Sequence, residues 1–193
     1  MMSLQDPLRR KVVAAIASLP LIATGAGLGG QGSSASKTKV LVAYFSRSGN
    51  TKVIAGLIQR SQNGDLLEIR PAAAYPDDYL ETVEQARRET AAGFKPGLDQ
   101  TVAHMERYDV VFLGFPIWGQ TAPPVIKTFL SEHALAGKTV VPFITHGGYG
   151  LGNSLGVIAD HAPGAHLLEG FVIEGQQERK TMEQVNGWLS RLA

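Results

Sequence analysis

The sequence predicts an α/β fold, a three-layer doubly wound sandwich built on a five-stranded parallel sheet. Three observations carry this. The runs "VLVAYF" (40–45), "VVFLGF" (110–115) and "VVPFI" (140–144) are apolar without a break, as in strands buried on both faces. Amphipathic stretches alternate with them, which makes the strands parallel and the helices their crossovers. The loops after the apolar runs concentrate Gly, Ser, Thr and aromatic residues, and in such folds the loops at the strands' C-terminal ends form the binding rim.

The elements follow in order. "KVLVAYF" (39–45) is the first strand, and the pattern Val53, Ile54, Leu57, Ile58 predicts a helix from Asn50 to about Gln62. Asn63-Gly64 marks the turn after it. "DLLEIRP" (65–71) is a second strand stopped by Pro71. A polar helix spans about Asp78–Ala91, with Glu84 spaced to meet Arg87 and Arg88, and its charges read as a solvated face. "YDVVFLGFP" (108–116) is the third strand, and "PPVIKTFLSE" (123–132) a helix with proline at its start, where helices tolerate it. "KTVVPFIT" (138–145), "LGNSLGVIADHA" (151–162), "GFVIEG" (170–175) and "ERKTMEQVNGWLSRLA" supply the fourth strand, a helix, the fifth strand and a closing helix.

Composition limits the functions. The chain has 193 residues and is 44% hydrophobic and 18% charged, enough apolar material for a packed core. The formal net charge is +1, and residues 1–36 hold Arg9, Arg10 and Lys11 against Asp6, so the remainder is nearly neutral. That argues against a nucleic-acid binder, which would show a basic face. The absence of cysteine excludes disulfides, thiolate catalysis and iron–sulfur clusters. The five histidines, His104, His133, His146, His161 and His166, have no metal-ligand spacing, and no metal site is expected.

Residues 1–36 read as a leader and linker ahead of a domain at 37–193. "PLRRKVVAAIASLPLIATGAGLGGQGSSAS" has a basic start, an apolar middle and a small, polar end. Its apolar part is interrupted by Ser18, Pro20, Thr24, Gly25 and Gly27, whereas a membrane span takes about 20 apolar residues. Paired Arg9-Arg10 resembles a twin-arginine export signal, with Leu8 and Val12-Val13 departing from the usual pattern. Export would place the domain outside the cytoplasm, in the periplasm or beyond. A basic tail would leave it cytoplasmic, and an uncleaved anchor would be its link to a membrane.

Three rim loops carry the chemistry. In "SRSGNT" (46–51) the N–H groups of a helix start are joined by the hydroxyls of Ser46, Ser48 and Thr51 and the amide of Asn50. Those donors suit a terminal phosphate, while Gly49 lets the backbone come close. A plain helix cap needs one such residue, and here there are four. "GFPIWGQTAPP" (114–124) offers Trp118 as a flat apolar face beside exposed backbone. "THGGYGLGNS" (145–154) packs four glycines into positions 147–152 around Tyr149, a loop able to wrap a planar ligand. "GKT" at 137–139 is not a P-loop, since Glu132 replaces its first glycine, and "GYGLGN" lacks the last glycine of a dinucleotide motif.

From about Lys39 to its end the chain resembles the flavodoxin family. "YFSRSGNT" is similar to the family's phosphate loop, "FPIWGQTAPP" and "THGGYGLGNS" to its two flavin loops, and "YPDDYLETVEQARRE" to a segment found before the third strand in one subgroup. The resemblance implies strand order 2-1-3-4-5 and non-covalently bound FMN. Ser46, Ser48, Gly49, Asn50 and Thr51 would hold its phosphate, with Arg47 in the same loop pointing outward. Pro116, Ile117, Trp118 and Gly119 would line one flank of the ring, Trp118-Gly119 matching a peptide that turns over on reduction in the family. Thr145, His146, Gly147, Gly148, Tyr149 and Gly150 would line the other, with His146 as a donor to the pyrimidine edge. The implied function is electron transfer between partners. An NAD(P)H-dependent quinone reductase is the alternative, and a non-redox phosphate- or nucleotide-binding module a third reading. The partner would be a redox protein or a small acceptor such as a quinone. The second and third loops lack the acidic residues of many electron shuttles: 116–121 and 145–150 contain no Asp or Glu, and only Asp77 and Asp78 are expected near. Long-range steering is therefore weak.

Overall fold

The computed structural model describes residues 38–175 and 178–191; the leader at 1–36 lies outside them. The expected α/β fold is found. The strands are β1 (Val40–Tyr44), β2 (Asp65–Glu68), β3 (Val110–Pro116), β4 (Thr139–His146), β5 (His166–Leu167) and β6 (Phe171–Glu174). The helices are α1 (Asn50–Gln62), α2 (Tyr79–Ala91), α3 (Pro124–Glu132), α4 (Ser154–His161) and α5 (Glu178–Leu189). All pairings are parallel, in the order β2-β1-β3-β4-β5, with β6 also pairing β4.

The unbroken apolar runs follow from burial on two sides. Leu41, Ala43 and Phe45 of the first run join Val111, Leu113 and Phe115 under α3 and α4, which contribute Val125, Ile126, Phe129, Val157 and Ile158. Val42, Tyr44, Phe112, Val141 and Phe143 face the other way, against Ile54, Ala55 and Ile58 of α1 and Val185, Trp188 and Leu189 of α5. Alternate residues of β1 and β3 thus fill opposite cores, and neither of these strands carries a charge. Gly114 lies beside Phe143 in the β3–β4 register. A methyl group on it would overlap the Phe143 ring, which is fully buried.

The fifth strand position is split, which the sequence reading did not foresee. β5 pairs Thr139–Val140, and β6 pairs Phe143–His146. Between them stands Pro142. Leu168 donates its N–H to Val140 O, and Gly175 to His146 O, so the even-numbered residues of β4 face this edge. Pro142 therefore lacks its N–H just where the edge strand would bond. The chain bulges over it at Gly170, where a side chain would overlap the Pro142 carbonyl. Helix α4 also begins later than expected, because Gly152 is left-handed at φ +54°.

Between β2 and β3 the chain makes a long excursion that carries α2. Its two arms pair antiparallel at the base through Pro71 and Leu98, with Ala72 N–H donating to Gly97 O and Asp99 N–H to Arg70 O. Asp78 caps α2 by accepting from Glu81 N–H at 2.9 Å. The returning arm is fixed to α3, where Thr128 Oγ1 donates to Pro96 O at 2.8 Å. Ahead of α2, Tyr75 donates its hydroxyl to Glu89 Oε2 at 2.8 Å, and Gln85 Nε2 donates to Oε1 of the same carboxylate. Burial and then the Glu89 carboxylate push the Tyr75 phenol above its ordinary pKa.

Two outcomes follow. Gly114→Ala should lower stability in urea unfolding by ~1–3 kcal/mol through overpacking, and Phe143→Leu in the same chain should recover part of the loss; an unchanged midpoint in the single variant contradicts the contact. The raised Tyr75 phenol means that the fold favours its protonated form. That contribution is whole below the unfolded phenol's pKa of about 10 and is lost as pH rises beyond it. Tyr44 and Tyr108 shift in the same direction, so the comparison is with Tyr75→Phe. This variant should cost ~1–3 kcal/mol at neutral pH by leaving Glu89 short of a donor. It should also lose less stability than the parent between about pH 9 and about pH 11, around that phenol pKa.

Candidate functional site

A cavity of about 380 Å³ opens at the C-terminal ends of β1, β3 and β4, the expected rim of a doubly wound sheet. The first of its walls is the turn from β1 into α1. Gly49 is the N-cap residue at φ +90°, no side chain caps the helix, and no acidic residue stands in its first turn. The first backbone N–H groups of a helix have no partner within it, so this positive pole is left open. Ser48 and Asn50 line the cavity. Ser46 does not; its Oγ accepts from Gly49 N–H at 3.2 Å and braces the turn. The Thr51 hydroxyl is also committed, lying 2.9 Å from Thr145 Oγ1 in a buried pair. Arg47 is exposed, as expected, yet it lines the cavity and folds across to α2: Nη2 donates to Asp77 O at 2.6 Å, and the guanidinium lies 5.8 Å from the Tyr79 ring centroid.

The second wall is formed by Pro116, Ile117, Trp118 and Gly119. Trp118 and Thr121 exchange N–H···O bonds of 3.0 and 3.2 Å around Gly119 at φ +57° and Gln120 at φ +64°. Two left-handed central residues make this a type I′ turn, and Gln120 sits there at the strain of a non-glycine residue. Trp118 lines the cavity and also packs edge-on against Phe45 and Tyr75, with centroids 5.2 and 4.8 Å away. Its indole is therefore both wall and packing.

The third wall holds Thr145, His146 and Gly147. Gly148 N–H donates to His146 Nδ1 at 3.0 Å, so a neutral His146 carries its proton on Nε2. Beyond Gly147 the loop leaves the cavity. Gly148, Tyr149 and Gly150 are not part of its lining, and Tyr149 is 86% exposed. Gly148 at φ +113° and Gly150 at φ +73° turn the chain outward. The loop then docks on the second wall, with Asn153 N–H donating to Gln120 O at 3.1 Å.

Two contributors escaped the sequence reading. Gly175 lines the cavity next to Asn50, and its N–H donates to His146 O at 2.8 Å. Helix α2 supplies Tyr79, Thr82, Val83 and Ala86. Their i, i+3, i+4, i+7 spacing was the available signal, hidden among the charges of the same helix. Among the described residues the lining contains Arg47 and His146 but no carboxylate. Together with the open helix pole this is a site for an anion joined to a flat, largely apolar body.

A family model described as flavodoxin matches residues 39–192. Among solved structures, a flavoprotein of Bacteroides eggerthii is 35% identical, covering 80% of this chain and 98% of that one with a TM-score of 0.68. A second, from Bacteroides uniformis, is 32% identical over 79% and 98% of the two chains, with a TM-score of 0.70. A flavoprotein of Lactobacillus acidophilus, solved in complex with FMN, is 22% identical over 76% and 99%, with a TM-score of 0.62, and at that identity shares the fold. No curated protein matches the chain. The fold, the three rim loops in their order and the family match over nearly the whole described chain lead to one assignment: the chain belongs to the flavodoxin family.

Proposed function

We propose that the protein binds FMN non-covalently and passes electrons between partners through it. The observation that carries this reading is the uncapped pole of α1 opening into the same cavity as Trp118 and His146. The donor set fits the phosphate: Ser48 and Asn50 line the cavity, the first-turn N–H groups are open, and among the described lining residues no carboxylate opposes a dianion. Ser46 would hold the turn's shape, and Thr51 would offer its N–H, since its hydroxyl is paired with Thr145. The walls fit a ring, with Pro116, Ile117 and Trp118 on one flank and Thr145, His146 and Gly147 on the other. His146 would present Nε2–H as a donor to the ring's oxygen edge. Bound FMN supplies the redox chemistry; the protein orients it, limits water and sets the local field.

One observation supports the enzyme reading, NAD(P)H-dependent reduction of a quinone: the cavity mouth is partly apolar, with Tyr79 and Val83 exposed at 65% and 45%. Such a mouth suits a small apolar acceptor better than a charged docking protein. Export by the twin-arginine route belongs to this proposal too, since the leader falls outside the described residues.

The purified protein should be yellow and should release FMN on denaturation; colourless protein without FMN affinity would leave only a non-redox phosphate-binding module. Ser48→Asp should weaken FMN binding at least about fivefold in a fluorescence titration, because like charges ~4 Å apart repel by roughly 1–4 kcal/mol at a wet surface. Equal affinity of parent and variant counts against the phosphate assignment. NADPH oxidation with a quinone and no partner protein separates enzyme from carrier.

A further inference from the structure

We propose that α2 is a fourth wall of the flavin site, its inner face packing on the ring, and that Arg47 is the clasp that sets the helix there. This rests on the FMN reading above.

The first ground is geometric. Tyr79, Thr82, Val83 and Ala86 form one stripe of α2 and line the same cavity as the three rim loops. Thr82 and Ala86 are buried at the stripe's base, while Tyr79 and Val83 stand in water at 65% and 45% exposure. Single exposed apolar residues need no explanation. Apolar residues that border a cavity beside a donor-lined anion pole do, because a flat apolar ligand would cover them.

The second ground is the chemistry of the face. Thr82 Oγ1 lies 2.7 Å from Pro76 O and 2.9 Å from Asp78 O, so its hydroxyl is engaged locally. Glu84, Arg87 and Arg88 pair with one another on the solvent side of the helix. What remains toward the cavity is neutral, suited to a ring and not to a phosphate, whose donors lie across the cavity at α1.

The third ground is how the helix is held. The excursion is closed at its base by the pairing of 70–72 with 97–99, and its returning arm is bonded to α3. At the start of α2 the crossing contact is Arg47, reaching from the phosphate loop to Asp77 O and over the Tyr79 ring. The guanidinium therefore ties the phosphate end of the site to the helix that covers the ring end. Arg47 is a positioning residue on this account.

The test compares FMN with riboflavin, which has the same ring and no phosphate, by fluorescence titration of the full chain. Val83→Asp should weaken both ligands by a similar factor of about ten or more. Leu80→Asp, the same charge on the same helix at a residue that is 72% exposed and outside the lining, should leave both within about twofold, which is ~0.4 kcal/mol. Arg47→Ala should weaken both by about threefold to tenfold through loss of one hydrogen bond and one cation–π contact. The proposal is overturned if Val83→Asp binds both ligands like the parent, if its loss is confined to FMN, or if Leu80→Asp loses as much. The clasp is overturned if Arg47→Ala changes nothing or weakens FMN alone, which would put the guanidinium on the phosphate. A parent protein that binds neither ligand overturns the function itself, a result distinct from all of these.

Discussion

The site depends on a helix that begins without a cap. Ser48 and Asn50 are residue types that cap helices well, and a side-chain cap is worth about 1 kcal/mol. Neither caps α1, because Gly49 at φ +90° occupies the N-cap position and turns the chain so that its neighbours face the cavity. The stability forgone is recovered elsewhere. Ile54, Ala55 and Ile58 are fully buried against the sheet, and a buried aliphatic side chain contributes ~1.5–3 kcal/mol. The Thr51–Thr145 pair then fixes the first turn of α1 to the end of β4. Core burial thus holds the helix in place while its N–H groups stay free for a ligand.

The remaining walls are braced against each other rather than against a ligand. Ile117 N–H donates to Thr145 O, Asn153 N–H to Gln120 O, and Gly175 N–H to His146 O. The strained turn at Gln120 survives because its carbonyl is held by Asn153 and its ends are bonded to one another. Trp118 is steadied from behind by Phe45 and Tyr75, and Tyr75 is in turn bonded to Glu89 of α2. A chain of contacts therefore runs from the second loop to the helix opposite it. A site built in this way is organised before anything binds, which reduces the ordering cost of binding.

The sequence revealed those features whose cause is local. Two-sided burial writes an unbroken apolar run, so every strand of the sheet's centre was legible. A strand end followed by hydroxyls, glycine and amide is equally local, and Ser48 and Asn50 of that loop do border the cavity. What failed was non-local or masked. Pro142 broke the edge strand through a hydrogen bond missing between β4 and its neighbour, a loss invisible without knowing which side each residue faces. Tyr149 was expected along the second flank of the ring, whereas here it lies outside the cavity lining and is exposed, in a loop where Gly148 and Gly150 have positive φ. The stripe of α2 was overlooked because only two of its four members are strongly apolar, and Glu84, Arg87 and Arg88 dominate the helix's composition.

Charge is arranged so that the cavity's field comes from α1 and Arg47. The exposed ion pairs of α2 lie in high dielectric and add little to stability or to the field inside. The buried carboxylate of Glu89 is occupied by Tyr75 and Gln85, so it is held by two donors instead of facing the cavity. Among the lining residues an anion meets N–H groups, a hydroxyl, an amide and one guanidinium that is already engaged with Asp77. Apart from that guanidinium these are neutral donors, which bind by fixed dipoles and lose less strength to added salt than surface cations do. Such donors act at contact and not from a distance, and Tyr79 and Val83 of α2 add exposed apolar surface beside them.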